Sequence, residues 1–200
     1  MKLNNPIKLY TLILINVVFI SLVSIQETNA QSRFKTSDVT ITIKGTSTLH
    51  DWEMESETAD SELLFNNNEK GQPDDIENIT FRMKKKTLKS DKSGLNKRAY
   101  NALNADKHPE IVFSSNGNGN LQKNDDEYRV NSTGDLTVTG VTRQVSIDAI
   151  CINGDDTRLI CSGTSKLKMS DFDIDPPVMM LGTLRTDDEI VIDYRIVYTK

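Results

Sequence analysis

The chain has 200 residues, 36% of them hydrophobic, with 24 Lys and Arg against 29 Asp and Glu and a formal net charge of −5. No basic stripe with interleaved aromatics occurs, so nucleic acid is not an expected partner. The two histidines and two cysteines form no metal-ligand spacing.

Residues 1–30 read as a secretory signal peptide. Lys2 and Lys8 supply positive charge, Leu9 to Val23 is mostly apolar, and Thr28-Asn29-Ala30 offers a small residue at a cleavage point. The apolar run is about 15 residues, short of the ~20 that span a bilayer. The domain is therefore expected over 31–200, in the periplasm or secreted, with membrane contact but no span. Without Lys2, Lys8 and Glu27, that part holds 22 basic against 28 acidic side chains, net −6.

Ser37 to Lys44 alternates through Val39, Ile41 and Ile43 and predicts a first strand. Glu53 to Ala59 and Ser61 to Phe65 predict two more, closed by the turn-forming Asn66 to Gly71. Ile79, Phe81 and Met83 mark another strand, which Lys84-Lys85-Lys86 extends into solvent. Ser93 to Leu103 predicts the one helix, with Ser93 as its cap and Leu95, Ala99, Ala102 and Leu103 as one apolar stripe. It ends at His108-Pro109, where His108 is expected to cap the last carbonyls. A strand over Glu110 to Ser114 and a flexible turn at Asn116 to Asn120 follow.

Tyr128 to Val138 holds a period of two over eleven residues, and the alternation resumes through Val145, Ile147, Ala149 and Cys151. The expected register sets Val138 against Val145, Leu136 against Ile147 and Gly134 against Ala149. Cys151 and Cys161 flank Asn153 to Thr157; a cross-strand disulfide and a pair of buried thiols both fit that spacing. Leu159 to Met169, with Phe172 and Ile174 in phase, and Glu189 to Tyr198 complete the strands. About eight strands without βαβ alternation predict an all-β, extended antiparallel barrel with one inserted α-helix.

Ser132, Gly134, Ala149 and Cys151 are small residues on the inward row of long strands, which suggests space for an elongated apolar ligand. Met179 and Met180 are read as a pliable lip of that space, and the lysines between Lys84 and Lys92 as a solvated run or a contact for an anionic head group. His50 and His108 lack a nucleophile or carboxylate motif, so an enzyme is not expected.

Four segments resemble the YceI-like family of small exported bacterial proteins. They are Gly45 to Trp52, the helix leading into His108-Pro109-Glu110-Ile111-Val112-Phe113, Gly134 to Val145 with its Leu-Thr-Val-Thr-Gly-Val-Thr run, and Met169 to Ile174. The resemblance implies a lipocalin-like barrel around an apolar cavity that holds a polyisoprenoid or isoprenoid quinone, for carriage or sequestration. It implies no catalytic residues and no cofactor beyond a bound isoprenoid lipid. Its lining positions correspond to Phe113, Leu136, Val138, Val145, Ile147, Phe172 and Ile174. The family often has Gly where Asp173 stands, which puts the local bend in question. The rival expectation is an envelope structural or interaction protein that uses the barrel as a scaffold.

Overall fold

The computed structural model describes residues 31–124, 127–155, 157–179 and 183–200. The expected leader and Met180 lie outside these. The strands are β1 (Gln31–Ser47), β2 (Trp52–Ser56), β3 (Asp60–Asn67), β4 (Pro73–Lys84), β5 (Glu110–Asn124), β6 (Glu127–Val138), β7 (Val141–Asp155), β8 (Arg158–Lys168), β9 (Val178–Met179) and β10 (Leu184–Thr199). One α-helix, α1 (Ser93–Ala102), lies between β4 and β5. Eight strands close into an antiparallel barrel in the order β1-β3-β4-β5-β6-β7-β8-β10, with β10 returning to β1.

β1 is the seam. One edge pairs with β10 from Lys35 to Ser47; the other meets β3 at Gln31–Lys35 and β2 at Ile41–Gly45. Closure satisfies the edges that an open sheet of this length would expose. Alternation sets the inward face: Val39 and Ile41 of β1 oppose Ile196 and Tyr194 of β10, and all four belong to the apolar core.

The β6–β7 hairpin departs from the expected register. Val138 pairs with Val141, Leu136 with Arg143, Gly134 with Val145 and Val130 with Ala149. The slip is four residues, an even number, so the expected inward row stays inward. The turn itself decides it: Thr139 and Gly140 have φ of 36° and 87°, which makes a two-residue hairpin loop whose twist matches the strands. The ring of His108 packs where a Cβ on Gly140 would lie, 2.7 Å from its Cε1. That is a packing role, not the expected cap on the helix carbonyls.

Other expectations are also corrected. Asn116 to Asn120 is not a turn but part of β5, with a register shift between Ser115 and Gly119. Ser93 does not cap α1: Lys92 is the N-cap residue without a side-chain bond, and the Asn96 side chain ties the segment to Ser90. Phe172 and Ile174 do not continue β8, because the chain turns through a 3₁₀ segment at Met169–Phe172. Lys85 does not extend into solvent but is fully buried. Cys151 and Cys161 are directly opposed across β7 and β8 and joined by a disulfide.

Candidate functional site

The barrel encloses an apolar cavity of about 200 Å³. All eight barrel strands line it, among them Ile41 of β1, Leu63 of β3, Ile79 of β4 and Phe113 of β5. On β10 the lining runs through every second residue from Ile190 to Tyr198. Eight residues at ~3.4 Å each make roughly 27 Å of strand, or about 20 Å along the barrel axis at a usual tilt. The cavity is therefore an elongated slot along the barrel axis.

At one end lie the disulfide and Tyr198, all almost fully buried. Ser61 Oγ donates to the Thr80 carbonyl at 2.7 Å, so it accepts from Tyr198 OH at 2.7 Å. Tyr194 OH donates to the Asp148 carbonyl at 2.8 Å. The hydroxyls of Ser61, Tyr194 and Tyr198 are thus engaged with the wall, and the cavity surface is mostly hydrocarbon. Burial pushes both phenols up to about 12, so both stay neutral.

The other end is built by α1 and the 3₁₀ segment. Asp173 follows it in the left-handed region, φ 55° and ψ 35°, while Asp173 N–H bonds the Ser170 carbonyl and Ile174 N–H the Met169 carbonyl. This pair of bonds is the helix-terminating pattern that favours Gly, and Asp is among the side chains that tolerate it. The bend is kept although Gly is absent. Thr139 Oγ1 donates to the Phe172 carbonyl, fixing the 3₁₀ segment to the hairpin turn. Phe172 and Ile174 project into the cavity beside Val138.

A second cavity of about 180 Å³ lies beneath α1. It shares Ile43, Leu103, Met169, Ile174 and Ile190 with the barrel cavity, so the two adjoin at the mouth. Trp52, Leu95, Ala99 and Leu49 also line it. Trp52 lies over Gly45, where an added Cβ would come 2.2 Å from the indole, and donates Nε1–H to the Thr46 carbonyl at 3.3 Å. Lys85 anchors the end of α1: its Nζ donates to the Leu103 carbonyl at 2.8 Å, just past the C-terminus of the helix. Burial pulls its pKa below the usual lysine value. Sequence reasoning missed Lys85, since nothing in a run of three lysines distinguishes the middle one.

Of the residues singled out from the sequence, Phe113, Leu136, Val138, Val145, Ile147, Ala149, Phe172 and Ile174 come together on the cavity wall with Cys151 and Cys161. Ser132 and Gly134 face inward but do not reach it. A Cβ on Gly134 would lie 2.6 Å from Cζ of Phe113, so that ring already occupies the space expected there. Ser132 is completely buried and its Oγ has no hydrogen-bond partner among the described residues. The side chain of Met179, like Met180, lies outside the described residues. His50 is exposed, with Nδ1 2.9 Å from the Asp51 carbonyl. Among the described residues, no group of His, Cys, Asp and Glu is placed to hold a metal ion.

Known proteins share this architecture. The crystal structure of BcnA from Burkholderia cenocepacia matches with a TM-score of 0.62 at 14% identity, covering 80% of this chain and 95% of that one. A polyisoprenoid binding domain from Saccharophagus degradans matches with a TM-score of 0.60 at 9% identity, covering 83% of this chain and 97% of its own. At such identities the likeness is one of fold. In sequence, a UPF0312 protein of Pectobacterium atrosepticum is 35% identical over 100 residues, 48% of each chain. The matched stretch is thus about half the length of that relative. The model of the YceI-like domain matches residues 23–198, nearly the whole chain. The closed eight-stranded barrel and this match lead to one conclusion: the chain belongs to the YceI-like family.

Proposed function

We propose that the protein holds an elongated apolar lipid of the polyisoprenoid or isoprenoid quinone type inside the barrel, for carriage or sequestration outside the cytoplasm. The observation that carries this reading is the slot running along the barrel axis, walled mainly by apolar side chains from all eight strands, with the disulfide in its wall at one end. Transfer of a chain into such a space is favourable by about 0.8 kcal/mol per buried CH₂. The lining extends along most of β10, which suits a linear run of small repeating units better than a compact ligand. The structural neighbour described as a polyisoprenoid binding domain supports the same ligand class. The basic start and apolar run within residues 1–30 support export.

Phe113, Leu136, Val138, Val145, Ile147, Ala149, Phe172 and Ile174 are the proposed ligand contacts. No catalytic role is assigned. The tyrosines that reach the slot are engaged with the wall, and the His50 ring meets the Asp51 backbone carbonyl. The test is mass spectrometry of an organic extract of the purified protein. An isoprenoid lipid in near-stoichiometric amount is expected. A folded protein that carries none, and takes up none from a supplied polyprenyl alcohol, overturns the reading.

A further inference from the structure

β7 and β8 share a ladder only near the turn that joins them. It runs from Asp155–Arg158 to Ala149–Gly163. Beyond it, among the described residues, Val141 to Asp148 and Thr164 to Lys168 form no pair with each other. Both strands stay paired on their far sides, β7 with β6 as far as Val141–Val138 and β8 with β10 as far as Lys168–Glu189. The wall is therefore split between two strands that are otherwise complete. Tyr194 marks where the split begins. Its OH reaches past Gly163 to the carbonyl of Asp148, the first residue beyond the ladder, and a Cβ on Gly163 would collide with both oxygens. The other end is closed by the 3₁₀ segment that follows β8, which Thr139 fastens to the β6–β7 turn through the Phe172 carbonyl. Between these closures, the stretch from Val145 to Ala149 alone makes an opening roughly 13 Å tall.

The lining residues show that the split reaches the slot. Along the barrel strands they follow the inward alternation, with two exceptions among the described residues: Ser146 of β7 and Lys168 of β8. Both are exposed and of outward parity. An outward side chain borders an interior space only where the wall beside it is open. The inward neighbours Val145, Ile147, Ser165 and Leu167 are half-buried, whereas Ala149, Cys151 and Cys161, inside the ladder, are buried. β4 and β5 also lose their ladder beyond Thr80–Ser114, but that seam is packed shut. Ile79 N–H donates to Ser115 Oγ at 2.8 Å, and a Cβ on Gly119 would lie 2.7 Å from Cβ of Ile76.

We propose that lipid enters and leaves the slot sideways, through this window between β7 and β8. The proposal rests on the lipid-holding reading and adds the route. The path past α1 is fastened. Tyr100 OH donates to the Leu88 carbonyl at 2.6 Å, Lys85 Nζ donates to the Leu103 carbonyl, and Phe172 and Ile174 project into the slot at that end. Opening that path breaks buried contacts, whereas passage through the window breaks no strand pairing.

The experiment is stopped-flow measurement of probe uptake and release. One probe is a fluorescent polyprenyl alcohol; the other is N-phenyl-1-naphthylamine, a small apolar dye that enters an apolar cavity whatever its natural ligand. In the double variant Ser146→Trp with Lys168→Trp, association and dissociation should both slow by about tenfold or more, with Kd unchanged. A doorway changes both rates together; a wall contact changes their ratio. Arg98→Trp, an exposed position at the α1 end, should exchange both probes as the parent does. Circular dichroism checks the fold of each variant. Ser146→Cys labelled after folding with a bulky maleimide gives the same test without a folding burden, because the two native cysteines are joined. Parent-like rates in the folded double variant and the labelled protein, slowing only in Arg98→Trp, or a changed Kd at an unchanged association rate would overturn the proposal. Uptake of the dye but not of the polyprenyl probe would refute the lipid reading, while the dye rates still decide the route. A parent that admits neither probe refutes both.

Discussion

Filling the slot with protein should exclude ligand in proportion to how far along the barrel the plug is placed. Ala149 is buried, lines the cavity midway along β7, and lies between Val130 and Gly163 in register. Val145 lies four residues nearer the mouth on the same inward row, roughly 13 Å away along the strand. Ala149→Trp would block the part beyond it, including the stretch walled by Cys151, Cys161 and Tyr198. A ligand losing one five-carbon unit of burial there loses about 4 kcal/mol, or roughly a thousandfold in affinity. Val145→Trp should lose more, because less of the chain remains inside. The assay is twofold: lipid recovered per mole of protein by mass spectrometry, and displacement of a fluorescent polyprenyl probe. Overpacking costs stability, on the order of 1–3 kcal/mol, so thermal melting must show that each variant is folded. If both folded variants carry as much lipid as the parent, the barrel interior is not where the ligand sits.

Three further outcomes follow from the structure. The disulfide closes a loop with a sequence separation of 10, and chain entropy for a loop of that size gives about 2.7 kcal/mol; urea unfolding of oxidised and dithiothreitol-reduced protein should differ by that order, and an unchanged midpoint would contradict it. Burial raises the Tyr198 phenol from 10.0 to about 12. Its stabilising contribution is complete below pH 10 and is lost as pH climbs toward 12, about 2–3 kcal/mol in all; Tyr198→Phe should flatten that alkaline loss, read from denaturant midpoints across the window. Asp173 holds φ 55°, so Asp173→Gly should raise the melting temperature through relief of up to about 1 kcal/mol; a lower melting temperature would mean that the carboxylate does more than the backbone suggests.

Much of this molecule is visible in its alternation. A period of two identifies most of the strands, though not the second half of β5, and assigns their residues to the inner or outer face, because adjacent side chains point oppositely. That alone places Ile190, Ile192, Tyr194, Ile196 and Tyr198 on one wall and both Cys151 and Cys161 on inward rows. Pairing is another matter. Any even slip preserves the faces, so the apolar pattern was equally satisfied by two registers four residues apart. The left-handed backbone at Thr139 and Gly140 selects one of them.

Only the tertiary structure decides where the space lies. Gly134 looks like a gap along its own strand. Phe113 comes from β5, more than twenty positions away, and its ring lies diagonally across the sheet onto that glycine. Lys85 looks solvated among its neighbours, yet the 3₁₀ turn after β4 buries it beneath the end of α1. The cavity under the helix comes from α1, the Ser47–His50 loop and the β9–β10 pair meeting at one end of the barrel. A single strand's pattern records which way each side chain points. What that side chain meets depends on segments distant in the chain, and these are brought together only when β1 and β10 close the barrel.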